Sequence, residues 1–183
     1  YIASAPAFVM DLLGLGEREF AWLFIPTIGG MTIGAFVSGR VAGRWSPSHQ
    51  VGIGYACIGL AALGNVLYNA LAPQLSVPWA VLPMSLAAFG VALVFPVITL
   101  AILDMYPRQR GSASSLQAFT QLVLNSAIAG LLSPLLSHQG LHLALGMALF
   151  AVLGWAFWRW EASVSRRFPP PSSSPTLEAG EQL

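Results

Sequence analysis

Charge is what this sequence has least of. Among 183 residues there are eight Lys or Arg and seven Asp or Glu, so charged residues make up 8% against 56% hydrophobic. An ordinary soluble domain carries about 25% charged residues. So few charges cannot coat a water-soluble domain of this length, and with a mean hydropathy of +0.70 the solvent that fits is lipid. A formal net charge of +1 leaves no electrostatic basis for a nucleic-acid partner. Cysteine is nearly absent: Cys57 stands alone in an apolar run, which excludes an internal disulfide and leaves a small, inert apolar residue. A basic leader with a small-residue cleavage site is missing as well. The chain opens at Tyr1 inside an apolar stretch, which is read as a truncation through a membrane span.

What is present is a succession of long apolar runs. Crossing about 30 Å of hydrocarbon takes about 20 residues at ~1.5 Å each. That template predicts an all-α integral membrane chain with one partial span at 1–13. Full spans are predicted at 20–42, 51–71, 78–103, 112–136 and 141–160. A bundle over 1–160 is followed at 161–183 by a Pro- and Ser-rich tail, which is too polar to order itself and is predicted to be disordered.

The connectors set the orientation. One side of the spans collects Arg40, Arg44, Arg108, Arg110, Arg159, Arg166 and Arg167, and the other holds Arg18 between Glu17 and Glu19. By the positive-inside rule the arginine-rich side and the C-terminal tail are cytoplasmic. Trp22, Tyr68, Trp79, Trp158 and Trp160 fall near span ends, where an aromatic belt would lie.

Two arginine-bearing connectors carry a pattern. Ser38-Gly39-Arg40-Val41-Ala42-Gly43-Arg44-Trp45 resembles the degenerate second copy of the loop signature of the major facilitator superfamily. The segment 104–115, with Asp104, Pro107, Arg108, Arg110 and Gly111, is similar to the connector between the tenth and eleventh spans of the Bcr/CflA drug efflux group. Ser4-Ala5-Pro6-Ala7-Phe8-Val9 resembles the end of that group's seventh span. The pattern departs from the signature in lacking an acidic residue before Arg40, since residues 35–39 are uncharged. The resemblance implies that the spans form a six-helix bundle, the C-terminal half of a twelve-span major facilitator fold with its first span truncated. An N-terminal six-span half is then the missing partner, and the location is a bacterial inner membrane.

Polar residues inside spans are the candidate functional groups. Gln117, Gln121 and Asn125 recur every four residues and share one helical stripe. Two uses fit them: the wall of a substrate cavity, where amides donate and accept, or interhelical hydrogen bonds worth about 0.6–2 kcal/mol each. The resemblance places this span beside the pathway, which favours the cavity. It also places 78–103 centrally, so Ser85, Phe89, Phe95 and Thr99 join the candidate lining residues. Pro26, Pro83 and Pro96 are candidate kink sites. Gly30, Gly34 and Ser38 form a small-residue seam suited to close helix packing.

Intramembrane acids are missing. Asp11 and Asp104 sit near span ends, so a proton-coupling carboxylate is expected in the missing half. Asp104 is predicted to meet Arg40, Arg44 or Arg108 as a conformational latch, with a solvated surface charge as the equal alternative. His138 and His142 are four apart, but no glutamate follows the first, so neither a metal site nor a cofactor is expected. An intramembrane enzyme would need a nucleophile with its base or a pair of acids at depth, and these spans offer neither. Together with the resemblance, this predicts a secondary transporter rather than an enzyme. The expected activity is proton-coupled efflux of drugs or amphipathic small molecules by alternating access. An uptake carrier for a metabolite and a transport-inactive membrane scaffold are the alternatives.

Overall fold

The computed structural model describes residues 9–10, 13–14, 16–71, 76–77, 79–132 and 139–167. All regular structure among them is helical: α1 Ala21–Val41, α2 Pro47–Leu71, α3 Leu82–Met105, α4 Arg110–Ala127 and α5 Gly140–Arg167. A 3₁₀ turn, Glu17–Phe20, leads into α1, and a π-helical turn, Ile128–Leu132, extends α4. Five helical segments of 21 to 25 residues are long and apolar enough to cross a membrane. The span expected at 1–13 lies largely outside the described residues, as does the segment 168–183. The chain divides into two compact units, Tyr1–Val152 and Leu153–Leu183.

Local chemistry accounts for the helix ends. The backbone N–H of Gly16 donates to the Glu19 carboxylate at 2.9 Å, fixing the turn before α1. After α1 the chain reverses at Gly43, whose φ of 76° suits glycine. The predicted start of α2 is corrected from residue 51 to Pro47. Ser46 precedes it as a cap: its Oγ accepts from the His49 N–H at 3.3 Å and its carbonyl accepts from the Gln50 N–H at 3.1 Å. Pro47 then supplies a preset φ at the first helical position. Ser46→Ala should cost about 1 kcal/mol of helix stability, read as a lower unfolding midpoint in detergent.

Pro83 proves to be a start signal. It occupies the first turn of α3, where the N–H it lacks would be unpaired in any case. α3 ends at Met105, before Tyr106 and Pro107, because the residue ahead of a proline avoids the helical region. α5 runs past the expected end at residue 160 to Arg167, since no helix breaker intervenes before Pro169. At ~1.5 Å per residue its length is about 42 Å, more than the hydrocarbon core requires.

α3 packs between α1 and α2, and glycine sets both approaches. A Cβ at Gly34 would lie 2.6 Å from the Phe89 carbonyl oxygen and 2.9 Å from the Ala92 Cβ, and one at Gly30 would strike the Ser85 backbone. On the other side, a Cβ at Gly90 would lie 2.6 Å from the Gly54 carbonyl oxygen, and one at Gly54 would lie 2.9 Å from that of Gly90. Lipid tails are as apolar as leucine, so helices in a bilayer associate through such close packing rather than by escaping solvent. Near one end of the bundle, Val9, Leu23, Ala80, Val81, Met84 and Leu143 form a buried apolar cluster. Large apolar side chains elsewhere, among them Ile25, Phe36, Leu60 and Leu100, point outward, as a lipid-facing surface requires.

A buried polar node joins the same three helices. Gln50, 4% exposed, donates through Nε2 to Ser38 Oγ of α1 at 2.8 Å and to the Leu93 carbonyl of α3 at 3.0 Å. Both amide protons are thereby used, which makes a buried glutamine tolerable where water is excluded.

Candidate functional site: an uncharged cavity beside α3

A cavity of about 920 Å³ lies along α3 on the side away from α1. Tyr55 and Ile58 of α2 form one wall, and Val91, Val94, Phe95, Ile98 and Ile102 of α3 form the floor. Residues of α4 from Ser112 to Asn125 line the opposite side, with Tyr106 and Gln109 at the α3–α4 turn and Phe150 of α5. No lining residue carries a formal charge. Its polarity comes from neutral groups: the amides of Gln117, Gln121 and Asn125, the hydroxyls of Ser112, Thr120 and two tyrosines, and Gln109.

Helical periodicity decides which candidates reach this space. The α4 stripe does: Gln117, Gln121 and Asn125 all line the cavity. Gln117 Nε2 donates to Thr99 Oγ1 at 2.9 Å, whereas the side chains of Gln121 and Asn125 have no hydrogen-bond partner among the described residues. Thr120 Oγ1 donates back to the Leu116 carbonyl at 2.9 Å, so that hydroxyl is already partnered. On α3, Phe95 lines the cavity in register with Val91, Ile98 and Ile102. Thr99 lies beside that face and reaches the cavity through Gln117. Ser85 and Phe89 are not among the residues lining this cavity; their backbone, with the Ala92 Cβ, meets Gly30 and Gly34 of α1. The 100° step of a helix separates the two faces. Within the seam, Gly30 and Gly34 meet α3, and Ser38 accepts from Gln50.

The expected partners of Asp104 are also corrected. Its Oδ1 pairs with Arg110 Nη2 at 2.9 Å, not with Arg40, Arg44 or Arg108, and both partners are well exposed. The α3–α4 turn is short enough to bring the first residue of α4 back over the end of α3. Arg40 instead lies 5.4 Å from the Phe36 ring centroid on its own helix. An exposed pair of this kind is worth about 0–1 kcal/mol. Asp104→Asn should therefore change the unfolding midpoint little, and high salt should erase the remaining difference.

Tyr55, Ile58, Ile98, Ile102 and Phe150 were not singled out from sequence. Apolar residues facing a cavity and apolar residues facing lipid have the same composition, so only the packing separates them. His49 stacks against Trp45 with ring centroids 5.3 Å apart, His142 is exposed, and His138 lies outside the described residues, as does Asp11. Among the described residues no group of three potential metal ligands comes together.

Long apolar helices, glycine-mediated packing and an uncharged open cavity define an all-helical, multi-pass membrane protein among the described residues. Over 100 residues the chain is 29% identical to multidrug resistance protein MdtM of Escherichia coli O157:H7. Over the same length it is 30% identical to MdtM of Salmonella typhimurium and 27% identical to that of Escherichia coli K12. In each case the matched segment covers 54% of this chain and 24% of the relative. No protein-family profile matches the chain, and no solved structure does.

Proposed function

We propose that this chain is part of a secondary active transporter that exports drugs or other amphipathic small molecules across a bacterial inner membrane. It would supply the C-terminal six-span half of a twelve-span major facilitator protein. The similarity to multidrug resistance proteins over 100 residues carries this reading. The cavity gives it chemical content: apolar walls and a stripe of neutral amides suit ligands that share amphipathic character rather than one fixed charge. A second six-span bundle would complete the pathway, and the two would rock about it in alternating access. The cavity lining holds no carboxylate, so in this reading the proton-coupling acid belongs to the other bundle. The arginine-rich ends face the cytoplasm.

The test is expression of the coding region, with its upstream sequence, in a bacterium stripped of its own drug exporters. Lower steady-state accumulation of a fluorescent lipophilic dye, reversed by a protonophore, is expected. Unchanged accumulation at verified membrane expression would remove the transport reading.

A further inference from the structure

α3 is a continuous helix whose hydrogen-bond ladder is broken at Pro96, with a glutamine bond on each side. Pro96 has no N–H for the Ala92 carbonyl, and its ring crowds that oxygen, so the helix is weakest at this turn. Before the break, Gln50 donates to the Leu93 carbonyl and to Ser38 Oγ, tying this part of α3 to α1 and α2. The glycine contacts at Gly34 and Gly90 reinforce the same portion. After the break, residues 97–105 have a different tether, the 2.9 Å bond from Gln117 of α4 to Thr99. Gln117 lines the cavity, and so do Ile98 and Ile102 beyond the proline.

From this arrangement we infer that residues 97–105 of α3 are a hinged wall of the cavity, with Gln50 as the fixed anchor and the Gln117–Thr99 bond as an exchangeable tether. A neutral ligand whose acceptor takes the N–H that Gln117 gives to Thr99, rather than its second N–H, displaces Thr99, and the wall beyond Pro96 is released. Gln50 is thus a positioning residue acting through the α3 backbone, and Gln117 couples cavity contents to helix geometry. The inference deepens the proposed function and rests on the cavity being the ligand site. It selects for ligands with a hydrogen-bond acceptor, since a purely apolar molecule would leave the tether closed.

Distance distributions between spin labels test this without any transport assay. In a Cys57→Ser background in nanodiscs, labels at Ile33 and Leu100 bridge the break, and labels at Ile33 and Leu86 stay on one side of it. All three labelled positions are exposed. Thr99→Val keeps the side-chain shape and removes the acceptor. It is expected to broaden the 33–100 distribution and leave 33–86 unchanged, the second pair also confirming that the variant is folded. In a Pro96→Ala background the same substitution should have no such effect. N-hexylbenzamide, which carries an amide acceptor, should shift the unsubstituted protein toward the Thr99→Val distribution, and heptylbenzene should not.

An unchanged 33–100 distribution in Thr99→Val, or broadening that persists with Pro96→Ala, would overturn the hinge. Absence of any shift with N-hexylbenzamide would overturn the exchange. A hinge that behaves as expected in a protein that moves no dye would reject the transport function alone.

Discussion

Replacing Gly34 by leucine is expected to cost the bundle about 3 kcal/mol or more and to move most of the protein out of the folded fraction. Even a Cβ at this position would lie within 3 Å of the Phe89 carbonyl oxygen and the Ala92 Cβ. Neither can yield without shifting α3, because one belongs to the backbone and the other is fixed directly to it. A leucine must therefore separate α1 from α3, which also pulls Ser38 away from Gln50. Gly29 is the internal control: on the same helix, a Cβ added there would meet nothing within 4 Å. Gly29→Ala should be neutral or stabilising by about 0.5–1 kcal/mol through helix propensity. Monodispersity by size-exclusion chromatography and the thermal unfolding midpoint would check both.

The second large effect belongs to the amide stripe. Converting Gln117, Gln121 and Asn125 together to leucine removes the three cavity amides of α4, leaving Gln109 at the turn, while keeping α4 strongly helix-forming. Stability should change little, since the only hydrogen bond lost among the described residues is that from Gln117 to Thr99, and an interhelical bond in a membrane is worth about 0.6–2 kcal/mol. Ligand recognition should suffer far more, because a bound polar group would face an apolar wall. An unsatisfied polar group costs about 1–3 kcal/mol in proteins, so losing two partners corresponds to roughly a hundred-fold or greater loss of affinity. Equilibrium dialysis of a labelled amphipathic drug, at matched folded protein, would measure it.

How much of this was legible beforehand depended on the kind of signal. The four spans from α1 to α4 stand out because apolar length is a one-dimensional property, and helix formation in lipid follows from it. The amide stripe was visible for the same reason, since three polar residues at a spacing of four stand out against hydrocarbon. The start of α2 is legible in Ser46 followed by Pro47, which is a capping pattern, whereas a start at residue 51 leaves Gln50 in a loop. Ser85 and Phe89 could not be separated from Phe95 by composition. Only the contacts of Gly30 and Gly34 show which face of α3 meets α1. Gly54 and Gly90 lie far apart in sequence, and no periodic pattern links them before the helices are assembled. The partner of Asp104 turned on the length of one short turn, which charge alone does not reveal.

We propose the cavity beside α3 as the ligand wall of a drug exporter. Its most direct test is uptake of a labelled lipophilic drug into inside-out membrane vesicles energised by a pH gradient, with the coding region expressed together with its upstream sequence. Gradient-dependent uptake by the unsubstituted protein, lost in the Gln117→Leu, Gln121→Leu, Asn125→Leu variant at equal folded abundance, is the predicted result. Equal uptake by both proteins would contradict the assignment of this cavity.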